Sequence, residues 1–264
     1  MVTGGSRGIG HCLVQSFIQD TDVLNISRKS ARIAGVRTEH ELHNLNLDLA
    51  DVTLVEPCVR AWLDEHPEYQ VTTLVHNAAT SNLGWLHEVP AEQVEEVFRV
   101  NVHAPLAITS AVFSAGRFAD GGARVAYVVS SLGRALPELS FAGLGLYSTT
   151  KAALGRMALV QAREFEISAP HIKVLRIHPG IVDTEIQQEL RRNERLDQRF
   201  ALKTAGLPPY QEGEWQGTEP KDRMRTVSAE FAAEFIAWAV RREEVEPGEY
   251  DFYHAQEFHE ARRS

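Results

Sequence analysis

"MVTGGSRGIG" (residues 1–10) sets glycines at positions 4, 5, 8 and 10, directly behind Met1, Val2 and Thr3. Glycine reaches backbone angles closed to other residues, and with no Cβ it lets a ligand or a second backbone come close. Where such a turn leads from a buried strand into a helix, the first N–H groups and the dipole of that helix favour an anion such as a pyrophosphate. Two readings stand at this point, a nucleotide-binding turn and an ordinary tight turn. A Thr-Gly, three residues, then Gly-x-Gly is the spacing of the first. A strand usually takes about 5–6 residues, so we expect a shortened first strand. A central strand of three residues would leave ladder groups of its neighbours without partners, and we therefore expect apolar residues to precede Met1 in the natural chain.

Working outward, short apolar runs alternate with longer helical patterns. "DVLNIS" (22–27), "HNLNLDL" (43–49), "VTTLVHN" (71–77), "RVAYVVSS" (124–131), "IKVLRIHP" (172–179) and "EYDFYH" (249–254) read as strands. "GHCLVQSFIQ", "VTLVEPCVRAWLDEH", "AEQVEEVFRVNVHAPLAITSAVFSAG", "YSTTKAALGRMALVQAREFE" and "SAEFAAEFIAWAVRR" read as helices, with Ser228 as the N-cap of the last. The alternation predicts right-handed βαβ units and a parallel sheet covered on both faces. The fold expected is α/β, a doubly wound Rossmann sheet of strand order 3-2-1-4-5-6 plus a seventh strand, in one domain over residues 1–264. The Gly- and Pro-rich stretch 203–222 reads as a substrate-side loop.

Charge and composition narrow the class. The chain has 27 Lys+Arg against 36 Asp+Glu, a net charge of −9, which disfavours a nucleic-acid partner. Its 44% hydrophobic content suits a packed core. Two cysteines form no disulfide framework and suit a reducing cytosol, so a cytoplasmic protein is expected. No apolar run approaches the length of a membrane span, and no membrane partner is expected. "HAQEFHE" (254–260) holds His254, Glu257 and His259, the residue types of a metal site. With no second ligand cluster, we read a solvated end and no metal. "REEVEPGE" reads as a solvated turn before the last strand.

In "YSTTK", Tyr147 and Lys151 stand four apart and share a helix face. A phenol with a pKa near ~10 exchanges protons poorly at neutral pH, and an adjacent ammonium favours its ionised form. A hydroxyl at the end of a strand, next to the phenol, would polarise a carbonyl oxygen. "VVSS" supplies it, and we place that role on Ser131 ahead of Ser130. An exposed helical Tyr/Lys pair of no function is the competing reading of YxxxK taken alone.

Taken together, the motifs resemble the short-chain dehydrogenase/reductase family over essentially the whole chain. "TGGSRGIG" is similar to its cofactor loop and "HNAA" (76–79) to its Asn-Asn-Ala-Gly element. "VNVHAP" (100–105) is similar to its Asn-bearing helix, "YSTTK" to its signature, and "HPGIVDT" (178–184) to its Pro-Gly-x-x-x-Thr segment. The resemblance implies a catalytic set of Asn101, Ser131, Tyr147 and Lys151. Tyr147 would protonate the substrate oxygen while NADPH delivers hydride, and Ser131 would orient that oxygen. Lys151 would hold the nicotinamide ribose and lower the Tyr147 pKa, and Asn101 would position a relay water. For the cofactor it implies Gly4, Ser6, Arg7, Gly8, Ile9 and Gly10 in the loop, Ser27 and Arg28 after the second strand, and Asp48 and Leu49 at the adenine. It adds Asn77 and Ala78, Tyr147 and Lys151, and then Pro179, Gly180, Val182 and Thr184. Self-association through the helices bearing Asn101 and Tyr147, as a homodimer or homotetramer, is also implied.

Charge argues for NADP(H). An acid after the second strand would bind a free ribose hydroxyl, but "NISRKS" offers Ser27 and Arg28, and Arg7 adds a second guanidinium suited to phosphate. For the substrate, "DTEIQQELRR" and "GEYDFYH" resemble stretches of sepiapterin reductase-like members, in which an aspartate matching Asp251 anchors a pterin. Ser131, Tyr147 and Asp251 are then the substrate residues. The competing reading of Asp251 is a strand cap or a partner of a surface Arg.

The chain also departs from the family pattern. His76 and Ala79 replace an Asn and a Gly, and the segment between Ser131 and Tyr147 is longer than usual, bringing in Leu136, Leu139, Phe141 and Leu144 as pocket candidates. Tyr210 and Trp215 are candidates to cover an aromatic substrate. The function expected is NADPH-dependent reduction of a carbonyl in a small, planar or aromatic molecule, of sepiapterin reductase-like type. The alternatives are a broad carbonyl or diketone reductase or alcohol dehydrogenase, and, from another class, a non-catalytic NADPH-binding regulator.

Overall fold

Strand β5 (Ala123–Val128) shows how the sequence builds the core. Val125 and Tyr127 pack into one apolar cluster and Ala126 and Val128 into another, because successive side chains leave a strand on opposite faces. Both faces are therefore covered, as a parallel sheet requires. The computed structural model describes all residues except 36–37, 184–195, 205, 212–224, 243–246 and 263–264.

Around β5 lie β1 (Val2–Thr3), β2 (Val23–Ser27), β3 (Leu42–Asn46), β4 (Thr73–His76), β6 (Ile172–His178) and β9 (Gly248–Asp251). All run parallel in the order β3-β2-β1-β4-β5-β6-β9, the doubly wound order read from the sequence. A second, two-stranded sheet of β7 (Ile181–Val182) and β8 (Thr226–Val227), too short to show a period, was not anticipated.

One face is covered by α1 (Gly8–Phe17) and α7 (Ala229–Arg241), which pack on each other. Leu13, Val14 and Phe17 supply the buried stripe of α1, and the Ser228 hydroxyl caps α7 by accepting from Phe231 N at 3.2 Å. The other face is covered by α2 (Val52–Glu65), α4 (Ala104–Ser114) and α5 (Gly145–Ser168). Short helices α3 (Ala91–Phe98), α6 (Gln198–Thr204) and α8 (Gln256–Ala261) complete the described elements. The long helix expected over 91–116 contains a π-turn, Arg99–His103, between α3 and α4. Such turns insert one extra residue and recur at functional sites.

β1 is short, as expected, yet it pairs on both sides: Val2 aligns with Asn25 and Val75, and Thr3 with Ile26. Met1 extends the ladder, its carbonyl accepting from Val75 N at 2.9 Å and its amine donating to Thr73 O at 2.7 Å. At this amino-terminal edge of the strands lies a cavity of about 290 Å³, lined among others by Met1, Leu24, Trp62 and Arg124.

The carboxyl-terminal segment is not the solvated end expected. Phe258 and His259 are each 2% exposed, and His259 bonds both Tyr210 Oη at 3.0 Å and Phe252 O at 2.7 Å. Its neighbour Phe258 is apolar, so α8 has a face to bury that the charged residues around it concealed.

Candidate active site

The glycine turn is built against two neighbouring segments. Gly4 adopts a positive φ of 72°. A Cβ on Gly10 would meet Gly4 O at 2.2 Å and Asn77 Nδ2 at 2.6 Å, so backbone and amide occupy the space that any side chain would need. Asn77 Nδ2 donates to Thr3 O at 3.1 Å, and the Thr3 hydroxyl accepts from the N–H groups of Asn77 and Ala78 at 3.0 and 2.9 Å. The turn, the end of β1 and the end of β4 are thereby one unit. Helix α1 follows at Gly8 with no side-chain cap on its first N–H groups, leaving the open cradle an anionic group needs. Ser27 ends β2 buried, Arg28 beyond it is exposed, and Arg7 is exposed at the N-cap of α1. Asp48 lies two residues past β3, its carboxylate accepting from Ala50 N at 3.0 Å, while Leu49 is buried in the core. Gly180 has a φ of +88°, which only glycine takes readily, and Val182 follows it in β7. Thr184 lies outside the described residues.

Tyr147 sits in the first turn of α5, half-buried. Of the two adjacent serines, Ser130 bears on the phenol and holds it lower than burial alone would. Ser130 Oγ accepts from Leu132 N at 3.3 Å, capping the short turn 131–133. A Cβ on Gly133 would lie 2.8 Å from Ala152 N and Lys151 C, so the loop after β5 is pressed onto the α5 backbone.

Burial pushes the Tyr147 phenol up to about 12, partly opposed by the bond from Ser130. Lys151 is 3% exposed, its Nζ donates to Val128 O at 2.8 Å, and it stands 5.8 Å from the Tyr147 ring centre. Burial also lowers Lys151, to about 8. In this arrangement burial dominates the Tyr147 pKa, and the Lys151 ammonium donates to a backbone carbonyl. Tyr147 is held as a neutral acid.

Asn101 occupies the π-turn and is 1% exposed. Its Oδ1 accepts from Thr80 N at 2.8 Å, and its Nδ2 donates to Thr80 O at 2.8 Å and to Thr150 Oγ1 at 3.0 Å. These bonds fasten the loop after β4 to α5.

Asp251 ends β9 in an ion cluster. Arg134 Nη2 lies 3.0 Å from Asp251 Oδ2 and 2.5 Å from Glu249 Oε1, and Arg176 and His178 also face Glu249 at 2.8 and 2.9 Å. The Asp251 carboxylate further accepts from Tyr253 N at 3.0 Å. Among the pocket candidates, Phe141 and Leu144 are buried in a small apolar cluster with Leu196 and Phe200, with Leu139 packed against it, whereas Leu136 is 41% exposed. Tyr210 is 7% exposed within the main core, so it is not a substrate cover. Trp215 lies outside the described residues, as does most of 203–222.

The family model described as short chain dehydrogenase matches residues 1–195. The chain belongs to that family. Short-chain dehydrogenase relatives include the cyclic-di-GMP-binding biofilm dispersal mediator protein of Escherichia coli K12, 30% identical over 211 residues, covering 79% of this chain and 83% of that protein. Benzil reductase ((S)-benzoin forming) of Bacillus cereus is 27% identical over 219 residues, covering 78% and 86%. Among solved structures, BdcA in complex with NADPH superposes with a TM-score of 0.66 at 25% identity, covering 94% of this chain and 90% of that one. This short-chain dehydrogenase keeps the family's fold and its oxidoreductase character. No helix among the described residues is long and apolar enough to cross a membrane.

Proposed function

We propose that this short-chain dehydrogenase is an NADPH-dependent carbonyl reductase of broad specificity, acting on small, planar or aromatic ketones and diketones. The observation that carries the reading is that α5 sets the Tyr147 phenol and the buried Lys151, 5.8 Å from its ring centre, against the end of β5, where Ser130 bears on the phenol. Carbonyl reduction needs an acid at the oxygen, and a phenol held protonated is that acid. NADPH, when bound, supplies hydride to the carbonyl carbon. The O–H of Tyr147 supplies the proton as charge gathers on the oxygen, giving the alcohol, and Ser130 stabilises that oxygen with a second hydroxyl. Lys151 anchors the ribose side, and Asn101 positions the loop carrying Thr80 against α5.

The cofactor reading rests on this chain's own residues. The N-terminus of α1, with no side-chain cap at Arg7, suits the pyrophosphate, and Arg7 and Arg28 suit a 2′-phosphate. The NADPH-bound BdcA structure supports the same choice. Asp48, Leu49, Asn77, Ala78, Pro179, Gly180 and Val182 complete the proposed cofactor contacts, and Thr184 is carried from the sequence alone.

The diketone reading is preferred over a pterin because Asp251, the expected anchor, already pairs with Arg134. The Bacillus cereus relative is named for reducing benzil, an aromatic diketone, and supports the same class. A pterin is the second reading, favoured by the DTEIQQ and EYDFYH stretches. A regulator that only binds cofactor would need no proton donor. The test is NADPH consumption by the purified protein with benzil and with sepiapterin: turnover of benzil with the larger kcat/KM supports the proposal, and no consumption with either overturns it.

A further inference from the structure

Asn25 is fully buried in the middle of β2, a place where strands favour β-branched apolar residues. A buried amide is costly unless its polar atoms are bonded, so its partners show what it is for. Asn25 Oδ1 accepts from Gly5 N at 2.9 Å, inside the glycine turn. On the other side Asn25 Nδ2 donates to Ser27 Oγ at 3.0 Å and to Asn44 Oδ1 at 2.8 Å. Those two partners hold the segment after β2. Ser27 Oγ donates to Lys29 O at 2.6 Å, and Asn44 accepts from Ala31 N at 2.7 Å while donating to Ala31 O at 3.3 Å. One amide therefore ties the turn that carries Arg7 to the segment that carries Arg28. A Cβ on Gly5 would come within 2.5 Å of Asn25 Oδ1, so the turn and the amide fit each other with no slack.

We infer that Asn25, relayed by Asn44, is a positioning residue that sets the spacing between the pyrophosphate turn and the 2′-phosphate segment, and so sets the preference for NADPH over NADH. It touches neither group itself, and the inference rests on the phosphate placement proposed above. Asn25→Val releases both segments, whereas Asn44→Val releases only the segment carrying Arg28. Asn25→Val is expected to raise the KM for NADPH about tenfold, with the NADPH/NADH ratio of kcat/KM falling and kcat at saturating NADPH held. Asn44→Val is expected to lower the ratio by raising the NADPH KM alone. The double variant should fall no further than Asn25→Val, because the two residues act as one relay.

The experiment is steady-state kinetics with each cofactor on wild type, both single variants, the double variant and Arg28→Ala, with folding checked by circular dichroism. An Arg28→Ala ratio equal to wild type removes the phosphate placement, and this inference with it. A ratio lowered by Arg28→Ala but unchanged in the folded Asn variants removes this inference alone. Should Asn25→Val not fold, Asn44→Val decides by the same ratio. A loss confined to kcat also overturns the assignment.

Discussion

Arg134 Nη2 lies 3.0 Å from Asp251 Oδ2 and 2.5 Å from Glu249 Oε1, so one guanidinium from the loop after β5 ties down two carboxylates of the last strand. That loop follows β5, which ends at Val128, and carries Ser130 and Ser131 before Arg134. Hydrogen bonds and charge from Glu249 and Asp251 raise the Arg134 pKa against the cost of its burial, and Glu249 is held below the ordinary carboxylate range by the same contacts. If Asp251 serves this latch, Asp251→Ala and Arg134→Met should lower kcat/KM for benzil and sepiapterin in the same proportion. Their coupling in a double-mutant cycle of denaturant unfolding should be on the order of 1 kcal/mol, since Arg134 is partly exposed. A loss confined to sepiapterin would restore the pterin anchor.

The two adjacent serines separate cleanly in kinetics. Ser130→Ala should lower kcat by roughly 10²–10³, the scale for losing one donor to a developing oxyanion. Ser131→Ala should stay within a few-fold of wild type, since the bond to Tyr147 comes from its neighbour. Tyr147→Phe should abolish turnover while NADPH still quenches or shifts protein fluorescence as in wild type. A Ser131→Ala defect as large as that of Ser130→Ala would return the role to Ser131.

Apolar residues on α4 and α5 remain in solvent in the single chain: Leu106 is 48% exposed, Phe113 44%, Leu159 43%, Val160 43% and Ile167 73%. Two neighbouring helices exposing large side chains suit a face that a second copy covers, and we propose a homodimer through them. Light scattering after size exclusion should report twice the 29.5 kDa chain mass for wild type. Leu159→Glu with Ile167→Glu should shift it to the single-chain mass with the circular dichroism spectrum kept. A wild-type monomer rejects the proposal.

The topology was legible because its signals are periodic and local. Apolar strands, helical stripes and the glycine turn each announce themselves within about ten residues. The order of the functional side chains was also legible. Their register was not. Ser130 and Ser131 are chemically identical neighbours, and which of them bears on Tyr147 is a contact across the fold that local sequence does not carry. Asp251 could be read as an anchor because Arg134 lies 117 positions away in the chain. Tyr210 belonged to a Gly- and Pro-rich stretch that reads as surface, yet its ring packs on Phe231 and Phe252. Asn25 went unread for the converse reason, a lone polar residue in a strand having no local signature of its bonds.

Lys151 makes the stability of the protein depend on pH in a direction that can be worked out. Burial lowers its pKa from 10.5 to about 8. Below pH 8 both folded and unfolded chains carry the charged ammonium, and the folded chain bears the full cost of holding it buried. Between pH 8 and 10.5 the unfolded chain binds the extra proton, so stability rises with pH across that window. The difference corresponds to about 3 kcal/mol at most, at roughly 1.4 kcal/mol for each pKa unit. Lys151→Met removes the titration while keeping an unbranched side chain. It should therefore be more stable than wild type at pH 7, and that advantage should shrink as pH rises from 8 toward 10.5. Comparing the two proteins cancels the phenol of Tyr147, whose raised pKa costs both of them stability above pH 10. Urea midpoints measured at half-unit steps from pH 7 to 10.5 give the check. A gap between the two proteins that stays constant over that range would mean that Lys151 keeps an ordinary pKa and is solvated in the folded chain.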